Sequence, residues 1–376
     1  MKNLQTIKQQ IKELALQLGF QQATIANTDT SDFYPDFQQW IKDGYHGDMS
    51  YLERNLALRK DPNQLVNGTC RIISLRYNYL PEQANFTKVL GSQNLANISR
   101  YALGRDYHKL MRKKLKNLSE SIADLCEDFN YRVFVDSAPV LETGFANQSG
   151  LGWKGKHTLI INKEAGSWFF LGEIFINIPL DVDDAVKNEC GNCSACIKLC
   201  PTGAIIAPYK VDATKCISYL TIENQSSIPV SLRKQIGNKI YGCDDCQLAC
   251  PWNRYSTTTT DDSFFSRNEL HNIPLLELWL WDEKTFYKKF EGSPIRRIGY
   301  QNWLRNLAVA IGNSEPLETT ITLLKNKIDE ANIMVTEHIN WAINEITHHS
   351  QQPNTAIKNN RKLVNSVKKM LPIEQQ

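Results

Sequence analysis

The chain has 376 residues, of which 42% are hydrophobic and 22% are charged, as in a soluble globular protein with a sizeable core. Its 43 Lys and Arg residues nearly balance its 40 Asp and Glu residues, and the net charge of +3 neither establishes nor excludes a nucleic-acid partner. The most apolar stretch, residues 168–180, contains Glu173 and is shorter than the roughly 20 residues of a membrane helix. Lysines and glutamines interrupt the N-terminal segment, so it has no signal-peptide core and we expect a cytoplasmic protein without a membrane partner.

The region up to about residue 180 alternates between helical and strand-like patterns. Apolar residues at helical spacing predict helices over 4–18 and within 106–129. Short runs of β-branched and aromatic residues predict strands at 71–76, 131–135 and 157–161. This alternation indicates an α/β or α+β domain.

Composition divides the chain into three regions, 1–180, 181–260 and 261–376. The second region contains eight of the ten cysteines, and the third is rich in helix-forming residues. Two amphipathic segments of the third region, 303–312 and 339–346, are related in pattern and predict helical-hairpin repeats. The alternative for this region is an ordinary helical bundle.

The cysteines of the second region follow the spacing of bacterial ferredoxins. The first run reads CxxCxxCxxxCP and the second ends in CxxCxxxCP, with one isolated cysteine between them. The eight residues are Cys190, Cys193, Cys196, Cys200, Cys216, Cys243, Cys246 and Cys250. Eight thiolates are two sets of four, which predicts two [4Fe–4S] clusters. The alternative is a pair of zinc sites, but zinc ribbons use two separated CxxC pairs and do not require the proline after each run.

In ferredoxin runs the fourth cysteine ligates the other cluster. We therefore expect Cys190, Cys193 and Cys196 to bind the first cluster together with Cys250. The second cluster is assigned to Cys243, Cys246, Cys216 and Cys200. Roughly 180 residues precede these runs, so the clusters are expected to deliver electrons to a site in the first region.

Two segments of the first region are candidates for that site. Asp136 follows a predicted strand, where it is either a general acid or a turn residue that caps backbone amides. The glycine-rich, basic segment 149–157 is either a loop that lets a large ligand approach the backbone or an ordinary connection. Dinucleotide and P-loop motifs are absent from the sequence.

Several motifs together with the cysteine runs resemble the epoxyqueuosine reductases, a family of cobalamin-dependent tRNA-modifying enzymes. The segments that carry the resemblance are HGDMSYL at 46–52, RKDP at 59–62, SRYALGRDYH at 99–108, VDSAPVLE at 135–142, GLGWKGK at 150–156 and CISYLT at 216–221. The resemblance covers nearly the whole chain. It implies an α+β fold with three parts: a cobalamin-binding α/β domain like that of reductive dehalogenases (1–180), a ferredoxin-like double-cluster domain (181–260) and HEAT-like helical repeats (261–376).

The same resemblance implies the reaction and the partners. The family reduces the epoxide of epoxyqueuosine, at the wobble position of tRNA, to the cyclopentene of queuosine and water. This is the final step of queuosine biosynthesis. Cobalamin and two [4Fe–4S] clusters are the implied cofactors, and an external low-potential electron donor is the implied second partner. The resemblance also leads us to expect a monomer.

The resemblance further assigns individual residues. The catalytic acid of the family falls on Asp136. The implied cobalamin contacts are Arg59, Ser99, Asp136, Ile160, Leu171 and Ser218. No histidine stands in the Asp-x-His-x-x-Gly context of a cobalt ligand, so cobalamin is expected to bind without one, with His108 and His157 either lining the pocket or lying on the surface.

Basic residues of the third region are candidates for tRNA phosphates, or else belong to a solvated face. They are Arg296, Arg297, Arg305, Lys358, Arg361, Lys362, Lys368 and Lys369. Two other functions remain open at this stage: a dehalogenase-like cobalamin reductase and a plain iron–sulfur electron carrier. A carrier would leave Asp136 without a role.

Overall fold

The computed structural model describes residues 3–348 and 355–371 of the chain. Its strands in chain order are β1 (Gln22–Ala26), β2 (Arg71–Asn78), β3 (Asn97–Ile98), β4 (Tyr131–Phe134), β5 (Trp153–Lys154), β6 (Ile160–Ile161), β7 (Phe169–Ile176), β8 (Ile205–Ala207), β9 (Lys210–Val211) and β10 (Lys239–Tyr241). The helices are α1 (Leu4–Gln17), α2 (Tyr34–Lys42), α3 (Leu56–Lys60), α4 (Pro62–Leu65), α5 (Phe86–Gly91), α6 (Tyr107–Ala123), α7 (Glu142–Gln148), α8 (Ala195–Leu199), α9 (Ile217–Ile222), α10 (Val230–Ile236), α11 (Asp245–Leu248), α12 (Leu275–Trp279), α13 (Glu283–Lys289), α14 (Gly299–Gly312), α15 (Thr320–Lys325), α16 (Ile333–His348) and α17 (Thr355–Met370). The predicted mixture of helices and strands is therefore confirmed.

The first region is built on a four-stranded antiparallel sheet in the order β1–β2–β7–β4. Side chains alternate between its two faces, so each row of cross-strand partners belongs to one face. One such row consists of Ile25, Ile73 and Ile174, which are all fully buried. The next row, on the opposite face, contains the polar residues Ser74 and Glu173, which are equally buried.

Helices cover both faces of this sheet. On the isoleucine face lie α1 and α6, which contribute buried apolar residues such as Ile11 and Leu115. The contact with α6 is close, because a Cβ atom at Gly172 would lie 2.9 Å from a methyl group of Leu115. On the opposite face lies α7, whose Phe145 packs with Ile72 and Phe175. Since each fully buried aliphatic or aromatic side chain contributes roughly 1.5–3 kcal/mol, the two layers of helices stabilise the sheet from both sides.

The cysteine-rich segment folds against this domain through a backbone contact. β10 pairs in parallel with β3, which belongs to the first region of the chain. The side chain of Asn253 adds a second connection, because its Oδ1 accepts a hydrogen bond from the backbone N–H of Ser167 (2.7 Å). The cysteine runs are thereby held beside the N-terminal end of β7.

The helices from α12 to α16 build a second core, to which β3 and β10 also contribute Ile98 and Ile240. Its buried members include Trp279, Phe286, Trp303, Leu307 and Ile339. The two longest of these helices, α14 and α16, pack against each other. The predicted helical character of this region is confirmed, while its description as HEAT-like repeats stays a prediction.

The last helix, α17, packs on the first core instead. Its buried residues Leu363 and Val367, together with Leu371, join the cluster that contains the sheet, α1 and α6. The same helix contacts α5, α10 and α11. In the part of the chain that the structure describes, no helix has the length and apolar character needed to cross a membrane.

One predicted strand is shorter than expected. Of residues 157–161, only Ile160–Ile161 are extended in β6. Thr158 has a φ of 77°, which turns the chain before the strand begins. The consequence is that residues 157–159 form a loop at the edge of a cavity.

Candidate active site

Asp136 lies just beyond the end of β4, in a turn that forces an unusual backbone geometry. Its φ is +54°, in the left-handed region that non-glycine residues seldom adopt, although aspartate tolerates it better than most. The backbone N–H of Asp136 donates to Oε1 of Glu142 (2.7 Å) at the start of α7. Among the described residues, the Asp136 carboxylate accepts no hydrogen bond from a backbone amide, so it does not act as a turn cap.

A chain of polar side chains connects Asp136 to the start of α6. Nε2 of His108 lies 3.4 Å from Oδ2 of Asp136, and Nδ1 of the same ring lies 2.7 Å from Oδ1 of Asp106. Asp106 also caps α6 and forms an ion pair with Arg297 (2.6 Å). Burial would raise the pKa of Asp106, but the hydrogen bonds from His108 and the charge of Arg297 outweigh it and lower that pKa. The imidazole is thus held between two carboxyl groups.

The surroundings of the Asp136 carboxyl raise its pKa towards neutral pH. Its side chain keeps 46% of its surface exposed, yet protein surrounds it on several sides. This burial raises the pKa of Asp136 to about 6, with the charge of Arg297 opposing the rise and those of Asp106 and Glu223 adding to it. A carboxylic acid with such a pKa is still partly protonated near neutral pH, which is the state a general acid needs.

Next to this site is a partly open cavity of about 360 Å³ with mainly apolar walls. Four of the six residues expected to contact cobalamin line it, namely Ser99, Ile160, Leu171 and Ser218. The hydroxyl of Ser99 donates to Asp244 (2.5 Å), its backbone N–H donates to the carbonyl oxygen of Tyr241 (2.8 Å), and its own carbonyl oxygen accepts from Ala102 (2.9 Å). Its polar groups are therefore engaged within the protein, and it offers a ligand chiefly van der Waals contact. Tyr107 and Phe170 stack with ring centroids 3.8 Å apart and form an aromatic wall.

The other two expected contacts, Arg59 and Asp136, do not line this cavity. Arg59 is buried, with its guanidinium 5.5 Å from the centre of the Phe37 ring and its charge acting on Glu142. Asp136 interacts electrostatically with Tyr101, which does line the cavity. The structure therefore brings four of the six residues together at the cavity. Arg59 and Asp136 lie outside it, where both interact with Glu142.

His157 presents an unused donor to the cavity. Its Nδ1 accepts a hydrogen bond from the backbone N–H of Leu159 (3.2 Å), and burial lowers the pKa of the ring to about 4. The ring is therefore neutral with its proton on Nε2. That atom is buried and has no hydrogen-bond partner among the described residues.

The glycine-rich loop that precedes His157 has a structural explanation. A Cβ atom at Gly152 would lie 2.4 Å from the carbonyl oxygen of Ile161, and one at Gly155 would lie 2.6 Å from a methyl group of the same residue. These glycines therefore permit the close pairing of β5 with β6, and this pairing positions His157 and Thr158 at the cavity.

The thiols assigned to the second cluster form part of the cavity wall. Cys200, Cys216, Cys243 and Cys246 all line it. Burial raises the pKa of Cys216, and raises those of Cys243 and Cys246 further. Protein burial therefore disfavours the free thiolates at these positions, and a bound cation would be needed to stabilise them.

The thiols assigned to the first cluster lie together on the other side of the cysteine-rich segment. Cys250 interacts electrostatically with Cys190, Cys193 and Cys196, and the group ranges from buried Cys196 to exposed Cys193. Within residues 3–348 and 355–371, no three His, Cys, Asp or Glu side chains are arranged to hold a single metal ion. The assignment of four cysteines to each cluster therefore stays a prediction, and Cys246 interacts with Cys196 as well as with Cys200 and Cys216.

Lys156 makes a contact that the sequence did not reveal. Its Nζ donates to the carbonyl oxygens of Gly191 (2.7 Å) and Cys193 (2.8 Å). One loop therefore contacts the first cysteine run through Lys156 and the cavity through His157. A basic residue in a glycine-rich loop was visible in the sequence, but its partner lies far away along the chain.

A basic groove runs beside Asp136 on the side of α6. It has a volume of about 880 Å³, and Asp106 and Arg297 form part of its wall. Its cationic residues are Arg105, Lys109, Lys113, Arg267, Arg296 and Arg297. Two of the predicted phosphate contacts, Arg296 and Arg297, are therefore exposed in one groove with four cations that the sequence analysis did not single out.

The other predicted phosphate contacts have different surroundings. The prediction is wrong for Arg305, which is fully buried and donates to the carbonyl oxygens of Leu220, Asn224 and Ser226. The sequence did not reveal that Arg305 is buried. Apolar residues surround α14 on most sides, so the sequence does not show which of its polar residues face solvent. The remaining five residues, Lys358, Arg361, Lys362, Lys368 and Lys369, are exposed on α17.

Comparison with known proteins gives consistent matches. Residues 59–137 match the family model described as "Epoxyqueuosine reductase QueG, DUF1730", and residues 189–253 match a "4Fe-4S double cluster binding domain". The chain is 53% identical over 341 residues to the epoxyqueuosine reductase of Escherichia coli, covering 91% of this chain and 90% of that protein. It is 48% identical over 368 residues to the enzyme of Vibrio cholerae, covering 98% of both.

The fold is also found in a solved structure. A crystal structure of epoxyqueuosine reductase with an epoxyqueuosine-modified tRNA-Tyr stem loop superposes with a TM-score of 0.81. The match covers 97% of this chain and 100% of that one at 23% identity, so it speaks for the fold alone.

Proposed function

The chain belongs to the epoxyqueuosine reductase family, and from this premise we propose that it reduces epoxyqueuosine in tRNA to queuosine with the help of cobalamin and two [4Fe–4S] clusters. The observation on which this proposal most depends is the position of the cavity. Thiols of Cys200, Cys216, Cys243 and Cys246 form one wall, and Tyr101, which interacts with Asp136, forms part of another. A redox group in the cavity would therefore lie between an electron supply and a proton donor.

The lining of the cavity suits a large ring with amide groups around its edge. Its walls are mainly apolar and aromatic, and His157 in this wall has a buried Nε2–H without a partner among the described residues, which an amide oxygen would satisfy. Cobalamin, when bound, supplies a strongly reducing cobalt centre. We propose that Ser99, Ile160, Leu171 and Ser218 would hold it, while the assignments of Arg59 and Asp136 as contacts rest on the family resemblance.

The cysteines are proposed to ligate the clusters in the two groups described above. Cys190, Cys193, Cys196 and Cys250 would hold one cluster, and Cys200, Cys216, Cys243 and Cys246 would hold the other. The proximity of the members within each group supports this assignment. Two clusters supply electrons one at a time, which suits a reaction that consumes two.

Asp136 is proposed to donate a proton to the substrate. Removal of an epoxide oxygen as water requires two electrons and two protons, and an alkoxide is a poor leaving group. Protonation of the departing oxygen by a positioned acid removes this difficulty. The partial protonation of Asp136 near neutral pH and its contact with His108 support the assignment.

The basic groove is proposed to bind the phosphate backbone of the tRNA. Six cations against the two acidic residues Asp106 and Asp262 make its wall strongly positive. Phosphate contacts of this kind provide affinity and register without reading the sequence. Because Asp106 and Arg297 link the groove to His108, a strand bound there would pass close to Asp136.

Other parts of the proposal rest on the family resemblance. These are the division into domains at residues 180 and 260, the HEAT-like arrangement of the C-terminal helices, the likeness of the first domain to reductive dehalogenases and a monomeric state. A cytoplasmic location follows from the tRNA substrate. An external low-potential donor follows from the reaction, because each turnover consumes two electrons that the clusters must recover.

An anaerobic assay tests the proposed function. The purified protein would be incubated with tRNA carrying epoxyqueuosine and a low-potential reductant, with and without cobalamin, and the nucleosides analysed by mass spectrometry. We expect a cobalamin-dependent loss of the mass of one oxygen atom. No conversion with clusters intact and cobalamin bound would indicate another cobalamin-dependent reduction, and intact clusters without cobalamin binding would indicate an electron carrier.

A further inference from the structure

Two carboxyl groups meet behind the catalytic turn. Glu173 lies in the middle of β7, opposite Ser74 on β2 and Phe134 on β4, and it is fully buried. Glu142 is the first residue of α7, which packs on this face of the sheet. We refer to Glu142 and Glu173 as the carboxyl pair.

The carboxyl pair must hold a proton. Neither oxygen of Glu173 has a conventional hydrogen-bond donor in the described part of the chain. The group that interacts with it is the Glu142 carboxyl, through a side-chain hydrogen bond and its charge. A hydrogen bond between two carboxyl groups exists only if one of them is protonated, and two buried carboxylates without a cation between them would repel each other.

The carboxyl pair also holds the catalytic turn. The backbone N–H of Asp136 donates to Oε1 of Glu142 (2.7 Å), and Asp136 has the unfavourable φ of +54°. A residue with a side chain remains in this conformation only where surrounding contacts support it. The hydrogen bond to Glu142 is such a contact, and it connects the turn to the interior of the sheet through Glu173.

We propose that Glu142 is a positioning residue whose proton-sharing contact with Glu173 keeps Asp136 in its catalytic conformation. While the proton is present, Glu142 stays against Glu173 and accepts the Asp136 N–H. When the proton is lost, repulsion between the two carboxylates displaces Glu142 and releases the turn. This proposal rests on the proposed function, since it assigns a role to the setting of the acid.

The charged groups around the carboxyl pair determine which carboxyl holds the shared proton. Burial raises the pKa of Glu142 to about 8, with the charge of Asp136 adding to the rise and that of Arg59 opposing it. Burial and the charges of Glu142 and Asp136 raise the pKa of Glu173 well above its ordinary value.

Three further charged groups lie on strands that pack against α7. Lys154 on β5 and Arg76 on β2 interact with Asp36 and Glu164, and Arg71 on β2 donates to the carbonyl oxygens of Leu180 and Cys70. Glu142 ionises as pH rises through about 8, but the shared proton stays on Glu173, because the hydrogen bond between the two groups lowers the pKa of Glu142 and raises that of Glu173. The contact therefore persists at neutral and mildly basic pH.

The substitution Glu142→Gln tests the proposal directly. The glutamine oxygen accepts the Asp136 N–H and its amide group donates to Glu173, so the contact no longer needs a shared proton. We expect hydrogen-exchange protection of residues 136–140 in Glu142→Gln to match that of the wild type at pH 7 and at pH 9, because residue 142 accepts the Asp136 N–H in both proteins. Glu142→Ala, which removes that acceptor, should lose at least tenfold of the protection, after correction for intrinsic exchange.

Further variants separate positioning from folding. Glu173→Gln should behave like Glu142→Gln, because its amide group can donate to the Glu142 carboxylate. Glu142→Ala should lose protection and turnover at every pH, and Glu120→Gln, at an exposed position on α6, should behave like the wild type. Equal protection of wild type and Glu142→Ala would overturn the proposal. Hydrogen exchange requires no substrate, so its result is independent of whether the proposed reaction occurs.

Discussion

Asp136 combines an unusual backbone conformation with a carboxyl group that titrates near neutrality. The first property results from the turn after β4 and from the contact with Glu142. The second results from burial and from the balance of charge among Arg297, Asp106 and Glu223. The position of the acid was predictable, because an aspartate after a β-branched and aromatic run marks a strand end. Its surroundings were not, because Asp106 and Glu173 approach it only through the fold.

We predict that Asp136→Asn reduces turnover by about 10²–10⁴-fold, the usual contribution of a general acid. Asparagine tolerates a positive φ, so the turn and the N–H donated to Glu142 should persist. Single-turnover assays under anaerobic conditions provide the measurement, with iron content and cobalamin binding as controls. Full activity of the variant would exclude Asp136 as the acid.

In the wild type, activity should fall as pH rises through about 6, because the protonated fraction of Asp136 decreases.

At the scale of elements, helices and strands with a regular pattern of apolar residues could be predicted from the sequence. A strand that is buried on both faces could not. The helix predicted within 106–129 corresponds to α6, and the strand predicted at 71–76 corresponds to β2. β7 was not predicted, although it lies inside the central sheet, because both of its faces are covered and its residues do not alternate with polar ones. Glu173 interrupts this apolar run. A charged residue inside such a strand was the available signal for a functional group.

The cysteine runs allow a prediction at this scale. Cys193→Ala and Cys246→Ala should each lose one cluster, or about four iron atoms per chain, because each removes a thiolate from a different group of four. Iron analysis and electron paramagnetic resonance of the reduced protein provide the measurement. Cys70→Ala is the matched control, since Cys70 lies outside both runs. Unchanged iron in both variants would contradict the ligand assignment.

The basic groove allows a second prediction at the scale of elements. Lys109→Glu should weaken tRNA binding by at least about tenfold and reduce the slope of log affinity against log salt by about one or more, because a phosphate contact is lost. Lys116→Glu is the matched control, since Lys116 is exposed on the same helix α6 outside the groove. Binding titrations at several salt concentrations provide the measurement. Equal effects of the two substitutions would show that the groove has no special role.

At the scale of the whole molecule, α17 connects regions that are distant in sequence. The sequence analysis grouped it with the C-terminal helices because its composition resembles theirs. The structure packs its apolar face on the first core and against α11, the helix that carries Cys246. Amphipathic spacing reveals that a helix has an apolar face, but it does not reveal which of two cores covers that face.

Leu363→Ala is expected to lower the free energy of unfolding by about 2–5 kcal/mol, because it removes a fully buried side chain and leaves a cavity. Lys362→Ala, at an exposed neighbouring position on α17, should change it by less than about 0.5 kcal/mol. Denaturant unfolding monitored by circular dichroism provides the measurement. Similar stability of the two variants would indicate that α17 contributes little to the first core.

The position of α17 has a consequence for the order in which the protein matures. Every element that α17 covers, from α5 to α11, is synthesised before it. During translation, the first core therefore remains open on one side after both cysteine runs have left the ribosome. Docking of α17 then covers α11, the helix that carries Cys246, so the packing around the second cysteine run is completed only after α17 has been synthesised.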